Sequence, residues 1–164
     1  MSAGLDGAAQ ILLPTNLLAL VALGLLAGRS LRIKLALFVA GLVAGALLIA
    51  LALRDPPAAN VLLALAAITG AIVAIGYALP RSIGFALAFA TGVALSLNAP
   101  PQATTIANAV AAQLGTVVAA LAATSLLALV ASKAEDGWQR IGVRIAGSWI
   151  AASAILVVTL RLAR

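Results

Sequence analysis

Leu97-Asn98-Ala99-Pro100-Pro101-Gln102-Ala103-Thr104-Thr105-Ile106-Ala107-Asn108, running on to Gln113, is the stretch whose reading decides the fold. An almost chargeless polar run is pressed there between two long apolar ones. The paired prolines stop one helix, because proline lacks the amide proton and its ring clashes with the preceding turn; the threonines that follow can accept the free amide protons of the next helix. The stretch therefore reads as a polar re-entry between two membrane spans, and as the first candidate for a site.

Outward from this loop, composition sets the class. Of 164 residues, 65% are hydrophobic and 9% charged, with a mean hydropathy of +1.22. That leaves too few polar residues to cover a water-facing surface at this size. Apolar runs of about 20 residues recur, each long enough as a helix to cross a hydrocarbon core of roughly 30 Å. Spans are expected over about 11–27, 35–53, 61–79, 83–97, 106–132 and 141–160. The predicted fold class is all-α: a polytopic membrane protein, one compact bundle of about six transmembrane helices with no second domain. A β-barrel would show alternating segments of about ten residues, and these runs are continuous. Met1 to Gln10 lacks the basic stretch and small-residue cleavage site of a removable signal, and reads as a mature extension. Pro14 falls in a first helical turn, where its missing amide proton does no harm.

The formal charge of +6 raises nucleic acid as a partner, but the basic residues lie between apolar runs and form no stripe interleaved with stacking aromatics. Topology explains them better. Arg29, Arg32, Lys34, Arg81, Lys133, Arg140 and Arg144 collect on one side, against Arg54, Arg161 and Arg164 on the other. Seven against three places the first side in the cytoplasm. Both termini and the 98–105 loop then face outward, as in a bacterial inner-membrane protein with a periplasmic face.

Lipid tails give helices no hydrophobic reason to pair, so close approach over small residues supplies the attraction. Gly24 with Gly28, and Gly41 with Gly45, stand at four-residue intervals, and Gly70 and Gly76 lie in the third span. These six glycines are the expected packing positions, within one chain or in a homo-oligomer or against other membrane subunits. Gln113, Thr116, Ala120 and Thr124 fall on one helical face, and Arg144, Ser148, Ala151, Ile155 and Thr159 on another; both stripes are expected to face protein. Arg144 reads as snorkelling to the cytoplasmic surface, Trp138 and Tyr77 as interface anchors, and Trp149 as a packing residue.

With topology fixed, Asn16, Asn98, Asn108, Gln113 and Thr116 share the outer half of the bundle. Two readings of them stand open: interhelical hydrogen bonding, or the wall of a shallow, uncharged, outward-open cavity for a small solute.

The first span, Leu13-Pro14-Thr15-Asn16-Leu17-Leu18-Ala19-Leu20-Val21-Ala22-Leu23-Gly24-Leu25-Leu26-Ala27, resembles the first helix of the HupE/UreJ family of small membrane proteins, proposed as nickel or cobalt permeases. The tail Arg140-Ile141-Gly142-Val143-Arg144-Ile145-Ala146-Gly147-Ser148-Trp149-Ile150-Ala151-Ala152 is similar to that family's last helix. The resemblance implies a helical permease. It also marks a departure, since the family's His-Pro, Asp-His and second histidine cluster are replaced here by Leu13-Pro14, by Asn16, and by Ser96, Leu97 and Asn98.

The chain has no histidine and no cysteine, and none of its acids lies within a span. Nickel and cobalt prefer imidazole, so the family's metal route is not expected, and no metal or other cofactor is. No nucleophile and base pair can be assembled, which argues against an enzyme. Two functions remain: a permease-like protein for a small uncharged solute, or a non-transporting accessory subunit of a larger membrane complex.

Overall fold

The structure, a computed structural model, describes residues 2–27, 31–50, 58–76, 80–98, 105–133 and 137–163. Gly28, Tyr77, Pro100 and Pro101 lie outside them, as do Arg29, Arg54 and Arg164. The described residues are helical and contain no strand. The helices are α1 (Ser2–Ala9), α2 (Pro14–Ala27), α3 (Leu31–Ala50), α4 (Ala58–Ile75), α5 (Arg81–Asn98), α6 (Ile106–Ser132) and α7 (Gly137–Leu162), with a 3-10 turn over Gln10–Leu12. Among the described residues three helices are long and apolar enough to cross a membrane: Arg81–Asn98, Ala107–Ser132 and Gly137–Arg161. Shorter apolar cores cover Pro14–Leu26, Ile33–Ile49 and Ala59–Ile75.

Local chemistry sets the boundaries. Leu13 is extended (φ −59°, ψ 134°), as the residue before a proline is driven to be, and its carbonyl accepts from Asn16 at 2.9 Å and Leu17 at 3.0 Å to start α2. That break separates α2 from what precedes it. α4 ends at Gly76, whose φ of +69° is the left-handed position at which glycine terminates a helix. α6 begins as its sequence indicates, with Thr105 Oγ1 accepting from the Asn108 amide at 3.3 Å.

The expected extension Met1 to Gln10 is instead a helix from Ser2 onward, docked on α6 through small residues. A Cβ added to Gly7 would strike the Ala112 carbonyl, and one added to Gly115 would strike that of Gly4.

α2 is the central element, touching each of α3 to α7 and burying Ala19, Leu20, Ala22 and Leu23. Close contacts fix the directions of its neighbours. Lys34 approaches Gly84, Gly41 meets Phe89 and Gly45 meets Ser96, so α3 and α5 run parallel. Gly24 lies against Thr124 and Leu127, while Asn16 and Gln113, near the starts of α2 and α6, bond to Asn98 and Ser96 at the end of α5, which sets α2 parallel to α6. Gly70 faces Gly147 and Ala151 while Gly76 faces Arg144, making α4 and α7 antiparallel.

Gly24, Gly41, Gly45 and Gly70 are thus packing positions within the chain. A Cβ on Gly24 would lie 2.6 Å from Leu127 Cβ, and one on Gly70 2.9 Å from the Gly147 carbonyl oxygen. Gly76 is a helix terminator rather than a packing glycine.

Candidate functional site

The two ends of the bundle differ in chemistry. At one end meet the starts of α2 and α6 and the end of α5, and this is where the amides gather. Asn16, with no exposed surface, donates from Nδ2 to the Gln10 carbonyl at 2.7 Å. Its Oδ1 accepts from Asn98 Nδ2 at 2.7 Å, and the same Asn98 nitrogen lies 3.5 Å from Thr15 Oγ1. Gln113 Nε2 donates to Ser96 Oγ at 2.9 Å. One turn on, Thr116 Oγ1 donates to the Gly7 carbonyl at 3.0 Å or to Ala112 at 3.1 Å.

Proline is why this cluster exists. The turn that Pro14 forces leaves the Gln10 carbonyl outside a regular helix, and Asn16, in the first turn of α2, reaches back to it. The cluster ties the 3-10 turn, α2, α5, α6 and α1 together at one depth.

Four of the five expected site residues, Asn16, Asn98, Gln113 and Thr116, are therefore brought into this region, and the fifth is not: the Asn108 side chain is exposed. Gln10 and Ser96 are partners that sequence reading missed as site members. Below the cluster, the α6 stripe is buried as expected, with Thr116 and Thr124 at 2% exposure and Ala120 at 0%. Thr91 donates to the Leu87 carbonyl at 2.7 Å. Thr69 and Thr124 present buried hydroxyls without a hydrogen-bond partner among the described residues.

The opposite end is basic. Lys34 Nζ donates to the Leu26 carbonyl at 2.7 Å, where α2 ends. Arg144 does not simply snorkel: its Nε donates to Ala74 O at 2.8 Å and its Nη2 to Ile75 O at 3.1 Å. A cation thus satisfies the last carbonyls of α4 and complements the negative end of that helix.

The expected polar stripe on α7 is corrected as well. Ser148, Ile155 and Thr159 are exposed, and only Ala151 of that stripe is buried. The packed face is instead Gly147, Ile150, Ala151 and Ala154, because close approach to α4 selects small residues over hydroxyls. Trp149 is 72% exposed, on the bundle exterior rather than packed, and Trp138 is exposed too.

Among the described residues no group of three acidic, histidine or cysteine side chains gathers. The site can offer amide and hydroxyl groups as donors and acceptors, with no titrating acid or base in it. No protein-family model, curated protein or solved structure matches the chain. What fold and site define is a class: an all-helical membrane protein with an uncharged polar interior.

Proposed function

We propose that this chain is an integral membrane protein of HupE/UreJ-like build that crosses the bilayer six times and passes a small uncharged solute, without the metal chemistry of that family. Six crossings are supported by the alternating directions of α2 to α7: α2, α4 and α6 end, and α7 starts, around Leu26, Ile72, Ala131 and Arg140, while α5, parallel to α3, ends at the start of α2 where Asn98 meets Asn16. At 1.5 Å per residue α3 and α4 reach about 30 and 27 Å, near the hydrocarbon thickness. The charge count places the basic end in the cytoplasm and the amide end outside.

The observation that carries the functional reading is a set of buried polar side chains without a charge among them. Asn16, Thr69, Thr91, Ser96, Thr116 and Thr124 are each exposed by 2% or less, and the hydroxyls of Thr69 and Thr124 have no partner among the described residues. Polar groups inside a membrane bundle are costly, and they mark routes for guests that can hydrogen-bond to them. A neutral guest suits amides and hydroxyls; a divalent cation would find no imidazole, thiolate or inner carboxylate.

The test is reconstitution of the full chain into liposomes, with stopped-flow light scattering on exposure to urea or glycerol. Faster re-swelling than in protein-free vesicles is expected, slowed by Thr124→Val, which keeps the shape of the side chain and removes its hydroxyl. Re-swelling no faster than in empty vesicles would refute passage.

A second reading is favoured by a different observation. Asn16 pairs with Asn98 and Gln113 with Ser96, so the amides are satisfied within the chain. On that reading the cluster is a structural clasp in a non-transporting accessory subunit, and the exposed Trp149 face meets another membrane protein. Purification in a mild detergent separates the two, because a subunit comes out with a larger assembly and a permease comes out alone or with its own copies.

A further inference from the structure

At the basic end, the finishing turns of α2, α4 and α6 leave a groove that the first turns of α7 only partly close. Its volume is about 460 Å³, within the roughly 300–1,000 Å³ of small-ligand sites. Leu25, Leu26, Ile72 and Val73 form an apolar floor, and Arg140 and Arg144 stand at its rim. The arginines are four residues apart on α7, which puts them one turn apart on the same side, about 5–6 Å between Cβ atoms.

Arg144 uses two of its five N–H donors on the α4 carbonyls, leaving three. Among the described residues Arg140 has no ionic or hydrogen-bond partner, and no acid among them lines the groove. Glu135 and Asp136, the acids nearest in sequence, lie outside the described residues.

We propose that this groove is a binding site for an anionic phospholipid of the surrounding bilayer. The phosphate sits between the Arg140 and Arg144 guanidinium groups, and the glycerol and upper acyl chains lie on Leu25, Leu26, Ile72 and Val73. Charge complementarity selects the occupant. A soluble anion would use the two arginines and leave the apolar floor wet, and a zwitterionic lipid would bring its own cation against two others. Basic pockets between membrane helices on the cytoplasmic side hold acidic lipid headgroups for these reasons, and each well-placed arginine contributes on the order of five-fold in binding. The inference does not depend on solute passage, since it concerns a groove at the opposite end from the amide cluster.

Native mass spectrometry of the purified full-length protein tests it, titrating phosphatidylglycerol against phosphatidylcholine of the same acyl chains. Phosphatidylglycerol should occupy the protein preferentially, and Arg140→Gln should reduce that occupancy about five-fold, with no change for phosphatidylcholine. Arg140→Gln removes no hydrogen bond or ion pair among the described residues, and Arg161→Gln, at the other end of α7, should leave both lipids unchanged. Equal occupancy by the two lipids would overturn the proposal, as would an Arg161→Gln loss equal to that of Arg140→Gln. Displacement of phosphatidylglycerol by inorganic phosphate would overturn it too, by making the groove a soluble-anion site.

Discussion

Replacing Asn16 by leucine removes the most connected side chain of the amide cluster while keeping its branching and number of heavy atoms. The native side chain is fully buried and makes two hydrogen bonds of 2.7 Å, one to the Gln10 carbonyl and one from Asn98. Hydrogen bonds between membrane helices contribute about 0.6 kcal/mol on average and up to about 1.7 kcal/mol. Two lost bonds therefore amount to about 1–3 kcal/mol, offset in part because Asn98 retains Thr15 Oγ1 at 3.5 Å as a second acceptor. The Gln10 carbonyl likewise keeps the Leu13 amide at 3.3 Å as a second donor, which places the net cost in the lower half of that range.

Asn108→Leu is the matched comparison, because that side chain is exposed and its loss should stay within about 0.5 kcal/mol. Equilibrium unfolding in mixed dodecyl maltoside and SDS micelles, followed by circular dichroism, gives both values. Asn16→Leu with Asn98→Leu completes a double-mutant cycle whose coupling should be about 0.6–1.7 kcal/mol. An Asn16→Leu cost no greater than that of Asn108→Leu, or a cycle without coupling, would refute the clasp.

Gly92→Val should be among the most damaging single changes, costing about 1–3 kcal/mol or more by overpacking, since its Cβ would strike the Phe38 carbonyl where α3 and α5 run parallel; thermal unfolding in detergent reads it. Gly142→Ala meets nothing within 4 Å and should be neutral or stabilise α7 by up to about 1 kcal/mol in the same assay. Gly7→Leu should detach α1 from α6, seen as faster amide hydrogen exchange over Ser2–Ala9 with the exchange of α4 and α7 unchanged. Arg144→Met should cost about 1 kcal/mol by leaving the Ala74 and Ile75 carbonyls uncapped, and lysine, with a single ammonium in place of a planar fork, should restore only part of it.

The helical class and several boundaries were legible in the sequence because each rests on chemistry local to a few residues. Pro14 fixes the start of α2, Thr105 caps α6, and Asn16 and Asn98 are polar where apolar neighbours make them conspicuous. Direction around a helix was harder to read than depth along it. Asn108 was grouped with Gln113 by depth, yet five residues at about 100° each place the two roughly 140° apart, so they cannot share a face. The packed face of α7 is not legible from its hydroxyls, because it is Gly147 and Ala151 that mark protein contact, by letting α4 approach.

Helix α1 escaped for a similar reason. Its docking surface is Gly4 and Gly7, which carry no apolar side chain to announce it. The role of Arg144 depends on α4 ending beside it, a meeting of residues about 70 positions apart that spacing does not report.

The proposed function requires the two unlike ends of the bundle to lie on opposite sides of a membrane, amides outside and arginines within. The chain has no native cysteine, so single replacements Thr105→Cys, Lys133→Cys and Ala163→Cys can be probed in intact cells with an impermeant maleimide. Labelling of the Thr105 and Ala163 positions with protection of Lys133 until the cells are lysed is the predicted result. Labelling at the Lys133 position with protection at Thr105 would contradict it.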